Sequence, residues 1–527
     1  MALRKKFEET ISALTIFIMT FLVSLSWGEN PFSTMVSGHD TSIFIYLGKA
    51  ITQGARPYID VTDHKGPVIF LLNALGWKLP HVHPSGGIYF VEFTFFLVFL
   101  TVIYKTARLW VPRLPALLAV FFASLATAPF TDGGNLTELY ALPFISLILY
   151  YFVLYFKEQK LPNYSYYLMG FGTLFIFGLR ANMIVALAPL FIVLLIGIAI
   201  NEKSWQALLA PLLKLIIGGL IFLIPLIIYL FVNGSLMAAI QDSIITNMIY
   251  AEGTNTQLSA ILAHIKSLNS YGMITLMLVS CGVIVMTTEN KLNNWLCIGT
   301  LGFSYLLMLY AETLSGRAYS HYFMPLFPYY GLLVGYLLSR IKALQNPIIY
   351  ALTLSVIFWN LHAPFVSWYT NAYSLNTTAS LSEMKQQVEE TKGQRQLFPD
   401  QYVGALSRIT NREEVTQVTK LVDHLTTPDD RIYAHRLGGW YYLTTDRDTA
   451  TRYFSLPAMT LNVDSEIGQT FFQEMEHNKP KVIILPTWAM TPKDSTDTVD
   501  GRLPQYVEAH YHEVKRFDKT IVFERKE

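Results

Sequence analysis

The sequence predicts a polytopic α-helical membrane protein of about eleven spans with a soluble α/β domain at its C-terminal end. Three observations predict it. Hydrophobic residues make up 52% of the 527-residue chain and charged residues only 15%, well below the quarter usual in a soluble protein. The apolar residues gather in runs of roughly 20, each long enough to cross a bilayer. These runs stop near position 363, and beyond it the composition is that of an ordinary soluble domain. The expected division is therefore a membrane part, 1–363, and an α/β domain, 364–527.

The runs fall at 10–27, 87–104, 114–128, 138–156, 164–178, 181–200, 210–232, 271–288, 295–311, 322–338 and 347–363. The basic start Arg4-Lys5-Lys6 before an apolar stretch resembles a signal peptide, but the run from Ile11 to Trp27 is long for one. No small-x-small cleavage site follows it, so it reads as a retained first span. Val68–Leu79 is apolar but too short to cross, which suits a re-entrant or interfacial helix. Lysine and arginine set the orientation. With the N-terminus in the cytoplasm, Arg4, Lys5, Lys6, Lys105, Arg108, Arg113, Lys157, Lys160, Lys203, Lys291, Arg340 and Lys342 fall in inside loops. The polar loops 28–86, 129–137, 233–270 and 312–321 and the tail then share the outer side, as expected for a bacterial cell membrane protein with an extracytoplasmic C-terminal domain.

In the tail, Glu413–Leu425 and Ile467–His477 have helical apolar spacing, and 431–434 and 481–485 read as strands. Tyr506–His512 and Thr520–Phe523 complete an alternation that favours a partly parallel sheet. Residues 370–400 are polar and read as a linker.

Net charge is +1, which gives no bulk electrostatic attraction for nucleic acid, and no nucleic-acid partner is expected. Cys281 and Cys297 both lie in apolar runs, so no disulfide framework exists. No nucleotide-binding glycine loop, Walker sequence or HExxH metal spacing occurs, and no metal ligand is assigned. A divalent cation remains compatible with the chain.

The chemistry-bearing residues crowd the outer loops. Ser37-Gly38-His39-Asp40-Thr41 follows the first run, then Tyr58-Ile59-Asp60-Val61-Thr62-Asp63-His64-Lys65-Gly66-Pro67. Ionisable groups are costly at a membrane face and usually serve a function there. Asp40 suits a general base, or equally a cap for a helix starting at Thr41. Asp63-His64-Lys65 offers cations for a phosphate, or a polar turn opening the helix at Pro67. Asn135 and Glu138, in Thr131-Asp132-Gly133-Gly134-Asn135-Leu136-Thr137-Glu138, suit sugar contact, although an acid at a helix start needs no function. Arg180 sits between two apolar runs and must be paired, wet or snorkelling. Arg317, Tyr319 and His321 offer donors just before another run, where an aromatic belt would account for the tyrosines alone.

The pattern Gly38-His39-Asp40 … Phe44 … Gly48 … Gly54 … Pro57-Tyr58 … Asp60 … Asp63-His64-Lys65-Gly66-Pro67 resembles multispan glycosyltransferases of the GT-C class. It is similar to their bacterial branch, the protein O-mannosyltransferase and aminoarabinose transferase superfamily. Gly133–Glu138, Leu179–Asn182 and His321-Tyr322-Phe323 resemble features of the same branch, and the likeness covers roughly residues 10–340. It implies a GT-C-like fold and a sugar donor carried on a polyprenyl phosphate. It also implies inverting transfer outside the cytoplasm, to a cell-envelope glycan or related acceptor. Asp40 matches the first-loop acid that serves as base. Many relatives carry two adjacent acids there; here the neighbour is His39. His64, Lys65, Arg180, Arg317 and His321 would meet the donor phosphate and sugar. His39, Asp63, Asn135, Glu138 and Tyr319 would touch acceptor or sugar. A transporter or flippase of lipid-linked sugars is the rival from another class, and a non-catalytic envelope scaffold the second.

Overall fold

The computed structural model describes residues 2–30, 38–79, 86–248, 257–287, 291–313, 319–341, 346–369, 412–455, 462–490 and 497–526. The helices, in chain order, are α1 (Ala2–Ser24), α2 (His39–Thr52), α3 (Pro67–Lys78), α4 (Gly86–Ala107), α5 (Arg113–Thr127), α6 (Thr137–Glu158) and α7 (Asn163–Leu179). Then come α8 (Ala188–Asn201), α9 (Leu209–Val232), α10 (Leu236–Ile240), α11 (Gln257–Ser270), α12 (Met273–Thr287), α13 (Leu292–Thr313), α14 (Phe327–Arg340) and α15 (Pro347–Tyr369). The tail adds α16 (Arg412–Leu425), β1 (Ile432–Ala434), α17 (Trp440–Thr444), α18 (Glu466–Asn478), β2 (Val482–Pro486), α19 (Val499–His510), β3 (Tyr511–Arg516) and β4 (Thr520–Arg525).

Among the described residues, eight helical segments are long and apolar enough to cross a membrane, and nine if one bent pair counts as a single span. The chain is a multi-pass membrane protein. Three of the expected spans are shorter or broken helices. α7 has 17 residues. α12 meets α11 at an 83° bend, where the buried Asn360 amide donates to the Gly272 carbonyl at 2.6 Å and its oxygen accepts from Tyr330 at 2.9 Å. α14 follows a 3₁₀ stretch, Ser320–Leu326. Pro325 and Pro328 lack the N–H that a continuous α-ladder needs there. The short apolar helix expected at 68–79 is present as α3, opened by Pro67 behind Gly66.

The chain forms two compact units. The helical unit comprises Met1–Ser26, Glu92–Ile228 and Ala251–Ala372. The mixed unit comprises Trp27–Val91, Tyr229–Tyr250 and Tyr373–Glu527. Contact thus joins the first loop to the tail, across the compositional boundary at 363. The linker expected at 370–400 lies outside the described residues.

Within the mixed unit the sheet order is β1-β2-β4-β3. β1 and β2 run parallel, with Ile432 beside Val482, and the other two pairings are antiparallel. The sheet packs with α18 and α19 around Tyr433, Phe471, Met475, Ile483, Leu503, Val507 and Phe523. α2 lies against this tail. Tyr46 stacks on Tyr442 with centroids 4.9 Å apart, and its hydroxyl accepts from the Thr449 N–H at 3.0 Å. The Lys49 ammonium pairs with Asp446.

Within the helical unit, α7 and α9 touch backbone to backbone. A Cβ on Gly170 would stand 1.9 Å from the Leu215 carbonyl oxygen. Small residues allow such contact between membrane helices. Gly170→Val is expected to splay this pair and cost about 1–3 kcal/mol. Thermal unfolding of the purified chain in detergent would show the loss, and an unchanged midpoint would contradict this packing.

Candidate active site

The candidate residues divide between the two units. In the mixed unit the first turn of α2 carries His39 and Asp40. Gly38, rather than Asp40, is the N-cap, and α2 begins at His39. Asp40 therefore sits inside the first turn, where an acid is favoured by the exposed N–H groups. His39 Nδ1 faces Asp40 Oδ1 at 3.3 Å, and both side chains are 39% exposed, open enough for a substrate to reach.

The loop that follows is tightly organised. Tyr58, fully buried with φ +65°, donates its hydroxyl to the Lys65 carbonyl at 2.7 Å. Asp63 Oδ1 accepts the Lys65 N–H at 2.9 Å and lies 3.6 Å from His64 Nδ1. Burial pushes the Asp63 carboxyl up, but His64, Lys65 and the Lys65 N–H outweigh it and hold it below the ordinary carboxylate value. Thr62 donates to Asp242 Oδ2 at 2.5 Å, and the Asn247 amide donates to the His64 carbonyl at 2.7 Å. Burial raises Asp242 above its ordinary value against the opposing Thr62 bond. Arg56 and Asp60 form an exposed pair at the rim, 2.8 Å apart.

In the helical unit Arg180 ends α7 in an extended conformation, so its side chain leaves the helix at the break before residue 181. Its Nη1 donates to Glu138 Oε1 at 2.6 Å and lies 2.8 Å from Glu312 Oε2. Its guanidinium carbon stands 3.9 Å from the centre of the Tyr322 ring. Both glutamates are buried. Glu138 Oε2 also accepts from Thr137 at 2.8 Å. Asn135 is buried with φ +54°; its N–H donates to Glu92 at 2.7 Å and its side-chain oxygen accepts from Tyr140 at 2.8 Å. His321 Nδ1 lies 3.5 Å from Asp132, and the half-exposed Tyr319 ring stacks on it. Arg317 lies outside the described residues.

The mixed unit thus holds His39, Asp40, Asp63, His64 and Lys65, and the helical unit holds Asn135, Glu138, Arg180, Tyr319 and His321. Sequence reasoning missed Glu92, Asp242, Asn247 and Glu312. Glu92 and Glu312 carried a readable signal, since an acid within or at the end of an apolar run needs a partner. Among the described residues, no group of three or more histidines, cysteines or acids is arranged to hold a metal ion.

Arg180→Met would leave two acids buried without their cation and is expected to destabilise the chain by about 3–5 kcal/mol. Converting Glu138 and Glu312 to Gln in the same chain is expected to recover part of that loss. Equal melting of the single and triple variants in detergent would contradict the ion cluster.

Among solved structures, ArnT from Cupriavidus metallidurans in the apo state aligns over 98% of this chain and 98% of its own, with a TM-score of 0.58 and 12% identity. The same enzyme bound to undecaprenyl phosphate aligns over 98% and 97%, with a TM-score of 0.57 and 12% identity. The archaeal oligosaccharyltransferase AglB from Archaeoglobus fulgidus, in complex with an inhibitory peptide and a dolichol-phosphate, covers 90% of this chain and 69% of its own at a TM-score of 0.48 and 12% identity. The likeness to ArnT establishes the fold that the first-loop motif implied: the multispan GT-C architecture with a sheet-containing C-terminal region. No curated protein sequence matches the chain. The model of one sequence family, described as "Putative competence-induced protein Ccs4 N-terminal domain", matches residues 4–346, and the chain belongs to that family.

Proposed function

We propose that this chain is a membrane glycosyltransferase. It moves a sugar from a polyprenyl-phosphate-sugar donor to a cell-envelope glycan or related acceptor on the outer face of a bacterial plasma membrane. The observation that carries the reading is the reachable Asp40 carboxylate on the same unit as the braced Asp63-His64-Lys65 turn. The fold shared with ArnT, a protein seen bound to undecaprenyl phosphate, supports the donor class.

In this reading Asp40 takes the proton of the acceptor hydroxyl as its oxygen attacks the anomeric carbon. The bond from that carbon to the phosphate oxygen breaks, polyprenyl phosphate leaves, and configuration inverts. Positive charge near the phosphate stabilises the charge that develops on the leaving group. Within the mixed unit, Lys65 and its neighbour His64 are assigned to the donor phosphate. Asp63, committed to the Lys65 N–H, orients that turn. His39, beside Asp40, is assigned to acceptor or sugar contact.

One observation favours a flippase instead: Arg180, Glu138 and Glu312 form a charged cluster among apolar helices, as transport pathways do. Transfer assays in detergent, where no membrane remains to be crossed, separate the two. Purified chain given a polyprenyl-phosphate sugar and an envelope glycan is expected to form product. Asp40→Asn is expected to lose about 10²–10⁴-fold in turnover while staying folded. Wild-type turnover in Asp40→Asn would remove the assignment of the base.

A further inference from the structure

We propose that the soluble tail is a positioning element for the first-loop site: its turn at 436–440, locked by Asp500, seats the first turn of α2 and fixes the His39 ring beside Asp40. The positioning stands on contacts within the mixed unit; only its effect on turnover rests on the glycosyltransferase reading.

The lock starts in the tail core. His435 is fully buried, with Nδ1 2.7 Å from the Tyr433 hydroxyl and Nε2 3.0 Å from Asp500 Oδ1. Asp500 also takes the Arg436 guanidinium in a fork, Nε at 3.1 Å and Nη2 at 3.0 Å. Asp500 itself lies in the first turn of α19, behind the Thr498 cap, where helix N–H groups favour an anion. This pairing holds Arg436 at φ +52°, a left-handed conformation that a non-glycine residue adopts only when its surroundings demand it.

Gly438 and Gly439 then meet α2 at a distance no side chain permits. Gly439 N–H donates to Ser42 Oγ at 2.9 Å, and that hydroxyl donates onward to the His39 carbonyl at 2.6 Å. A Cβ on Gly439 would stand 2.1 Å from the Ser42 carbonyl oxygen. Gly438 has φ +68°, and a Cβ there would stand 2.6 Å from Ser42 Oγ.

The His39 ring bridges the two sides. It faces Asp40 through Nδ1 and meets the Trp440 ring edge-on at 6.1 Å. The charged groups around it are Asp40 on its own helix, Asp63 from the following loop, and Arg436, with Asp500 behind it, from the tail. Burial alone would lower its pKa, but Asp40, the Arg436 carbonyl and Asp63 outweigh burial and raise it above 6.5. The tail therefore sets how the His39–Asp40 pair is seated on the first turn of α2.

The test uses the full chain in detergent with ¹³C-labelled histidine, the His39 signal being assigned by its loss in His39→Gln. In the wild type it is expected to titrate above 6.5. Asp500→Asn keeps the side-chain shape, and Gly439→Ala changes no charge. Both are expected to bring the midpoint down and to lower kcat by about 10- to 100-fold with the donor KM unchanged. An unmoved midpoint in Gly439→Ala, or activity lost through KM alone, would overturn the proposal. A midpoint that moves in a chain with no transferase activity would keep the positioning and discard the glycosyltransferase reading. Transfer by the wild type with an unmoved midpoint would do the reverse.

Discussion

Charge withdrawn from water must be answered by charge or by hydrogen bonds, and most of the arrangement around the candidate residues follows from that constraint. Arg180 among apolar helices is answered by Glu138 and Glu312, and its guanidinium lies on the Tyr322 ring. Lys49 on α2 is answered by Asp446 of the tail. Asp63 is answered by His64 and by the Lys65 N–H. The Arg180 and Lys49 pairings draw their partners from distant stretches of chain, so neutralising those charges also decides which segments meet. The energy of such pairs is modest; their effect on specificity is larger, because a wrong partner leaves a bare ion behind.

The two units meet this constraint differently. In the helical unit the ionised groups are mutually satisfied and largely enclosed, with Glu138 and Glu312 buried. In the mixed unit the enclosed groups brace a turn, while His39 and Asp40 remain reachable. A rigid support holding an accessible acid is the arrangement that general-base chemistry requires, since a base contributes only when it is held within reach of the proton it removes. The tail supplies that support through Gly439, Ser42 and the Asp500 lock.

Local patterns in the chain carried most of the architecture. Apolar runs announced most of the spans; in the tail, helical apolar spacing announced α16 and α18, and short strand-like segments announced β1 and β2. The Asp40 and Asp63-His64-Lys65 stretches stood out because polar clusters are expensive beside a membrane. Helix breaks were harder to read: the 3₁₀ stretch before α14 is as apolar as the helix it precedes, so hydropathy cannot separate them. Partnerships were not legible at all. Gly439 meets Ser42 across 397 residues, and Arg180 meets Glu138 across 42. Nothing in either segment names the other. Composition placed a boundary at 363 because it reports solvent, whereas contact joins the first loop to the tail.

In the proposed function the first-loop turn recognises the phosphate of a polyprenyl carrier. Photolabelling the purified chain with a polyprenyl phosphate bearing a photoreactive group beside its phosphate tests this directly. Label is expected on the peptide containing His64 and Lys65, displaced by unlabelled polyprenyl phosphate. Label confined to other peptides, or label that unlabelled carrier fails to displace, would contradict it.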